Sequence, residues 1–332
     1  MTETTDPRPG LRDARSWNME TSLPLMYSFV HGEELADMAD DRDDIMVLTA
    51  DLATSNRTND FQHRHPDRFV DLGIAEQNMT SVAAGLASAG FVPYISTFAS
   101  FAALMCAEQI RTDLAYPQMK VRVLGHHSGI SFGFYGTSHH ATEDIAITRA
   151  IAGLTVVAPS DAASTRALLR ATVDEPGPVY VRMGRGREKP IYDSPPEVSR
   201  GRFQLVREGV DLTIIATGIG VQGAVGAAGL LAAEGIEVRV LDALWLKPFD
   251  VDGVLAAMSE TGGILTVEDH NVMGGLGSAV AEVIAESGGS TRFRRHGIQD
   301  EYALIGPPTH LWRHYGLDPA GIATRARALL GS

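Results

Sequence analysis

The sequence predicts an α/β protein of two domains, each a mostly parallel sheet flanked by helices, and three observations carry that expectation. Short apolar runs such as Ile45–Thr49, Val121–Leu124, Pro178–Met183, Leu212–Thr217 and Gly263–Glu268 alternate with longer stretches whose apolar residues recur at helical spacing. Glycine is frequent at the joints, 34 among 332 residues, as tight strand-to-helix turns require. A proline-rich, charged stretch, Lys189–Arg200 (KPIYDSPPEVSR), separates two such alternations, and the chain is long enough for two cores.

Taken in order, residues 1–18 are polar and proline-containing and read as a mobile arm without a signal-peptide core. Leu25–Met38 predicts a helix, the acidic turn Asp40–Asp44 follows, and Ile45–Thr49 is a buried strand. Asp51, Ser55 and Asn56 lie just past that strand's carboxyl end, where ligands gather in open α/β sheets. From the local sequence alone, a turn cap explains them equally well.

Phe69–Gly73 is a second strand, and from Glu76 onward Met79, Val82, Ala83 and Leu86 mark a helix that Gly90 stops. Phe91–Thr97 returns to strand character, and Phe98 and Phe101 open a helix over 98–115 that ends near Pro117. Glu76 thus sits at a strand-to-helix turn. A helix N-terminus favours its charged form, while apolar burial raises its pKa. A lone glutamate there is commonly a first-turn charge. A glycine approach, a small-residue helix and two phenylalanines downstream suit a carboxyl group and aromatic faces meeting a flat heterocycle.

After the strand Val121–Leu124 comes a glycine-rich loop, His126–Glu143 (HHSGISFGFYGTSHHATE), with two histidine pairs. No Asp or Cys falls at ligand spacing among them, so no metal site is expected; imidazoles that donate and exchange protons suit a sugar better. Thr155–Pro159 and Pro178–Met183 complete the first sheet around a helix at 161–173, and Arg182, Arg185 and Arg187 follow at a strand end. Beyond the linker the predicted elements are strand Leu212–Thr217, helix 221–234, strand Val238–Leu241, helix 250–259, strand Gly263–Glu268, helix 274–287 and strand 291–297. Gly218, Gly220 and Gly223 form G-x-G-x-x-G after a strand, with Asp242 at the next strand's end, a dinucleotide fingerprint that ranks second here.

The balance of 28 basic against 41 acidic residues opposes nucleic acid or an anionic membrane as partner. Cys106 is the single cysteine and reads as a buried structural thiol, so no disulfide framework is expected. No segment reaches the roughly 18 to 20 apolar residues of a membrane span, and a cytoplasmic protein is expected.

GIAEQ (73–77) and TFASF (97–101) resemble the pyrimidine-binding domain of the transketolase and deoxyxylulose-phosphate synthase family. ADLATSN (50–56), the histidine loop and EDHNVMGGLGSAVAE (268–282) extend the resemblance over nearly the whole chain. It implies a pyrimidine-binding domain over 19–188 and a transketolase C-terminal domain over 201–332, joined by 189–200. It implies thiamine diphosphate as cofactor, with Glu76 on a pyrimidine ring nitrogen, Phe98 and Phe101 stacked or flanking, and Asp51 and Leu104 beside it. His127 and His139 are the implied catalytic histidines. Ser55 and Arg185 are implied to hold the sugar phosphate.

Two departures stand out. Tyr135 occupies the place of an aspartate for sugar hydroxyls, and Phe134 replaces the preceding acid. The stretch Leu25–Val30 also lacks the arginine that helps hold a terminal phosphate. A substrate other than the usual pentose phosphates is therefore expected.

The GDG that opens the family's diphosphate and Mg²⁺ motif does not occur in this sequence. The resemblance then implies the second subunit of a split transketolase, with the diphosphate and Mg²⁺ held mainly by a partner in an α2β2 assembly. The implied reaction moves a two-carbon ketol unit from a ketose to an aldose. The alternatives are the beta subunit of the thiamine component of a 2-oxo-acid dehydrogenase, a deoxyxylulose-phosphate synthase-like enzyme, and a non-catalytic scaffolding subunit.

Overall fold

The computed structural model describes residues 29–186 and 188–331. The expected arm at 1–18, the stretch 25–28 and Arg187 lie outside the described residues.

The first sheet has seven strands: β1 (Ile45–Thr49), β2 (Phe69–Asp71), β3 (Val92–Phe98), β4 (Arg122–His126), β5 (Thr155–Val157), β6 (Val179–Arg182) and, from much later in the chain, β10 (Trp245–Lys247). Their order across the sheet is β10-β5-β6-β4-β3-β1-β2. All pairings are parallel except β10 with β5. Helices cover the sheet, so its central strands are buried throughout, which explains their near-continuous apolar runs. Helix Ala162–Thr172 begins with a capping box between Asp161 and Ser164.

The second sheet is built from β7 (Gln204–Arg207), β8 (Leu212–Ala216), β9 (Val238–Asp242), β11 (Ile264–Asn271) and β12 (Phe293–Ile298), in the order β12-β11-β8-β9-β7. Only β7, an edge strand, is antiparallel. Its core gathers Ile214, Val240, Val267 and the helix Gly220–Ala232. No described helix is long and apolar enough to cross a membrane.

Several elements differ from expectation. The first described helix runs His31–Asp40, so Asp40 belongs to it rather than to the acidic turn. Residues 53–56 and 59–64 form two short helices that no apolar period announces. Phe98 is the last residue of β3, not the first of a helix.

The expected helix over 98–115 is two π-helical stretches, Phe101–Met105 and Ile110–Ala115, around one α turn, Ala107–Gln109. The amide of Cys106 donates to the carbonyl of Phe101 at 3.1 Å, one residue wider than an α turn. Such widening leaves the apolar face in place, so periodicity does not register it. Helices Pro308–His314 and Pro319–Leu330 are additional to the expected elements, although each has a proline in its first turn and Asp318 caps the second. β10 is also additional. Three residues before Pro248 are too few for a pattern, and its partner is a strand of the first sheet.

Candidate active site

The carboxyl ends of β1, β3, β4 and β6 meet at one edge of the first sheet, and the site grows from them. Glu76 opens the helix Glu76–Ser88 and is buried, 5% exposed. Its carboxylate makes no hydrogen bond to any described residue, which leaves it able to accept from a bound group. The next residue, Gln77, donates through Nε2 to the Met105 carbonyl at 2.9 Å, tying this helix start to the π-helical stretch that carries Phe101 and Leu104. Around the buried acid, Ile74 is 82% exposed, and Leu104 and Met105 are half exposed. That is apolar surface beside a carboxylate.

The same edge of the sheet carries a nest of rings. Phe98 ends β3 in register with His126 at the end of β4. Its ring lies 5.3 Å from Phe101, 4.9 Å from His127 and 5.3 Å from His139, centroid to centroid. Phe132 is the hub of the loop: His127 packs against it at 4.7 Å, Tyr135 stacks on it at 4.1 Å, and the Arg185 guanidinium lies 4.5 Å over its face. His126 and His127 are joined by a 2.8 Å contact between their Nδ1 atoms. Burial pushes both imidazoles well below the ordinary histidine range. His139 is less enclosed; burial also lowers its pKa, and its Nδ1 meets the Ser138 hydroxyl at 2.9 Å.

Two non-glycine residues here take left-handed backbone conformations, Asp51 at φ 59° and His127 at φ 58°. Each lies just past a parallel strand, where the chain turns sharply out of the sheet. Asp71 steadies the first turn, its Oδ1 accepting from the amides of Asp51 and Gly73. The second is held by amides of His127 and Ser128 donating to the carbonyls of Gly184 and Met183.

Beneath the loop runs a buried ion network that crosses between the two sheets. Arg182, at the end of β6, donates through Nε to Asp144 at 2.9 Å and through Nη1 to Asp269 of β11 at 2.7 Å. Tyr180 donates its hydroxyl to the same Asp144 at 2.9 Å. Gly129 rests on Asp269 so closely that a Cβ there would stand 1.9 Å from the carboxylate, and its φ is +58°. The second unit is therefore the floor of the histidine loop.

The G-x-G-x-x-G glycines have internal reasons. A Cβ on Gly220 would meet the Val267 carbonyl at 3.0 Å, and one on Gly223 the Leu317 carbonyl at 2.7 Å. Asp242, which a ribose would need, is buried and accepts from Ser160 at 2.5 Å and Tyr192 at 2.9 Å. The fingerprint serves helix–strand packing.

Comparison with known proteins decides between the remaining readings. Residues 24–189 match the family "Transketolase, pyrimidine binding domain" and residues 201–322 match "Transketolase, C-terminal domain". The chain belongs to the transketolase family. It is 39% identical to an apulose-4-phosphate transketolase subunit of Phocaeicola vulgatus, over 89% of this chain and 94% of that one. It is 38% identical to a 6-deoxy-6-sulfo-D-fructose transketolase subunit of a Clostridium species, over 93% of each. A solved split gene transketolase, an inactive beta4 tetramer, superposes with a TM-score of 0.82 at 37% identity, covering 92% of this chain and 98% of that one.

Within this transketolase-type frame, the structure brings Phe98, Phe101, His127, Tyr135, His139 and Arg185 into one cluster. Glu76 and Leu104 lie beside it through the Gln77–Met105 link. Asp51 is exposed at the β1 end and Ser55 is half-buried nearby. Asn56 is spoken for: its amide donates to Ser96 Oγ at 2.8 Å and its carbonyl oxygen accepts from Thr58. Arg182, one of three arginines expected at a strand end, ends β6 and is wholly buried in ion pairs with Asp144 and Asp269.

Sequence reasoning misses Phe132 and the His126 contact. An aromatic within a glycine-rich loop is the available signal for the first. The residues present fit a thiamine pyrimidine, which offers a ring nitrogen to a carboxylate and a flat aromatic face to phenylalanines. Transketolase family membership itself implies thiamine diphosphate.

Proposed function

We propose that this chain is the pyrimidine-holding subunit of a two-chain, thiamine-diphosphate-dependent transketolase that acts on a modified ketose. Residues 19–188 take the pyrimidine, 201–332 support the loop, and 189–200 join them. The observation that carries the reading is Glu76, 5% exposed at a helix start, its carboxylate unpaired among the described residues, on a helix that Gln77 ties to the stretch carrying Phe101.

Thiamine diphosphate, when bound, supplies a nucleophilic carbon able to carry a two-carbon ketol fragment. Glu76 would accept a hydrogen bond from the ring nitrogen of the cofactor's pyrimidine. Phe98, Phe101 and Leu104 would hold the pyrimidine, with Asp51 beside it. His127 and His139 meet the sugar's oxygens, where an imidazole can hold or move a proton. Ser55 and Arg185 receive the far end of the ketose, Arg185 being presented flat on Phe132.

Three points support a partner. The relatives named as subunits share this length, the solved beta4 neighbour is named inactive, and Ile74, Leu104 and Met105 expose apolar surface beside Glu76. The partner supplies the diphosphate and Mg²⁺ end in an α2β2 assembly. Tyr135, 58% exposed and stacked on Phe132, presents a phenol where the family's aspartate accepts from sugar hydroxyls. This favours ketoses with an altered terminal group, as the name of the 6-deoxy-6-sulfo-D-fructose relative describes for its own substrate.

The test is reconstitution with an amino-terminal-type transketolase subunit. Ketol transfer and tight thiamine diphosphate binding should appear only in the mixture. Xylulose 5-phosphate should have a lower kcat/KM than ketoses with a branched, deoxy or sulfonated terminus. Tight, metal-dependent cofactor binding by this chain alone would overturn the two-chain reading, and xylulose 5-phosphate as the best donor would overturn the substrate preference.

A further inference from the structure

We propose that His126 is a positioning residue that fixes His127 as a neutral donor, its proton on Nε2 and directed at a substrate oxygen. The inference rests on the transketolase reading above only for what His127 meets; the proton's location follows from the chain itself.

His126 ends β4, and consecutive side chains along a strand point to opposite faces. The left-handed turn at His127 undoes that alternation and swings the two imidazoles together, ring centroids 4.9 Å apart and Nδ1 atoms 2.8 Å apart. Both residues are buried, His126 fully and His127 to within 2%. Burial keeps both rings uncharged, so a single proton lies between the two Nδ1 atoms.

Only two tautomer arrangements satisfy that contact. If His127 were the donor, His126 would carry its own proton on Nε2. That nitrogen is sealed from solvent and has no hydrogen-bond partner among the described residues, and Phe29 and Phe98 flank its ring at 6.0 and 5.1 Å. If His126 is the donor, the same nitrogen is a bare lone pair. A buried N–H without an acceptor is the costlier defect. His126 Nδ1–H therefore donates to His127 Nδ1, and His127 holds its proton on Nε2. Edge contacts to Phe98 at 4.9 Å and Phe132 at 4.7 Å confine the His127 ring, and flipping it would replace the bonded nitrogen by carbon.

The consequence is a division of labour. His127 gives a hydrogen bond to a carbonyl, hydroxyl or terminal anion oxygen of the sugar. It accepts no proton there while the pair is intact. His139, partly open and bonded only to a serine hydroxyl, is the imidazole left to exchange protons with solvent.

The experiment labels the full chain with ¹⁵N-histidine and records long-range ¹H–¹⁵N correlations near neutral pH. The His127 signal is identified by its loss in His127→Asn. Expected is an unprotonated Nδ1 and a protonated Nε2 in the wild type and in His126→Asn, whose side-chain amide can take the place of Nδ1–H. His126→Leu should show His127 with a substantial Nδ1–H population. In the reconstituted enzyme, His126→Leu should raise KM for the ketose about tenfold with a smaller change in kcat, the scale of one hydrogen bond, while His126→Asn stays within about threefold. A wild-type His127 protonated on Nδ1, or equal impairment of the Asn and Leu variants, overturns the inference. The spectra need neither partner nor substrate. An Nε2–H tautomer without any ketol transfer would sink the proposed function instead.

Discussion

Asp242 offers the sharpest quantitative test, because it separates a structural acid from a ribose-binding one. It joins three parts of the molecule: β9, Ser160 of the first unit, and Tyr192 of the linker. Burial raises its pKa to about 7, against opposing hydrogen bonds from Ser160 and Tyr192 and with further help from the Asp161 charge. A carboxyl whose folded pKa lies above its unfolded one contributes its full stability below the unfolded value, here 3.8. It loses that contribution as the pH rises toward about 7. The ionisation penalty grows by about 2 to 3 kcal/mol between pH 5 and pH 7.5.

In the variant Asp242→Asn the carboxamide does not titrate, and its oxygen, in the place of Oδ2, can still accept from both hydroxyls. At roughly 2 cal/mol/K of unfolding entropy per residue, that penalty corresponds to about 3 to 4 °C for a chain of this size. Scanning calorimetry of both proteins at the two pH values reads it directly. The melting temperature of the variant minus that of the wild type should be more positive by that amount at pH 7.5. The double difference cancels every other titrating group, including His31 and His270, whose pKa values burial lowers to about 4. Equal differences at both pH values would refute the reasoning.

Three further outcomes are expected. Glu76→Ala should lower turnover of the reconstituted enzyme at least about a hundredfold, as for a positioned acid–base group, with unchanged assembly by size-exclusion chromatography. Arg182→Met strands Asp144 and Asp269 as buried, unpaired carboxylates, so urea titration should show a loss of about 3 to 5 kcal/mol. Gly129→Ala drives a methyl into the Asp269 carboxylate at positive φ and should cost more than about 1 kcal/mol in the same assay, with lost turnover as the loop moves.

The alternation of apolar runs and helical periods is enough to place most strands and the long helices, since burying both faces of a parallel sheet leaves so strong a mark on composition. Glu76, Phe98 and the histidine loop are readable because each is a local pattern. What escapes is long-range. Trp245–Lys247 pairs with a strand nearly ninety residues earlier. The Arg182–Asp269 pair spans 87 residues, and no local feature marks Arg182 as buried while Arg185 stacks on a ring. The two Nδ1 atoms of His126 and His127 meet only because of a left-handed backbone, which a histidine's identity does not announce. The π-helical turns at 101–105 and 110–115 are invisible for a related reason, since widening a turn preserves the apolar stripe.

The loan of β10 to the other unit's sheet sets a rule for anyone cutting this chain. A fragment ending at the linker would strip β5 of its antiparallel cover and leave a row of bare N–H and C=O groups along a short, fully buried strand. Such an edge recruits whatever extended chain is nearby, usually another copy of itself. A soluble pyrimidine-binding fragment must therefore reach at least Lys247, by which point it already contains β7, β8 and β9. In this protein, linker position and separability are different properties.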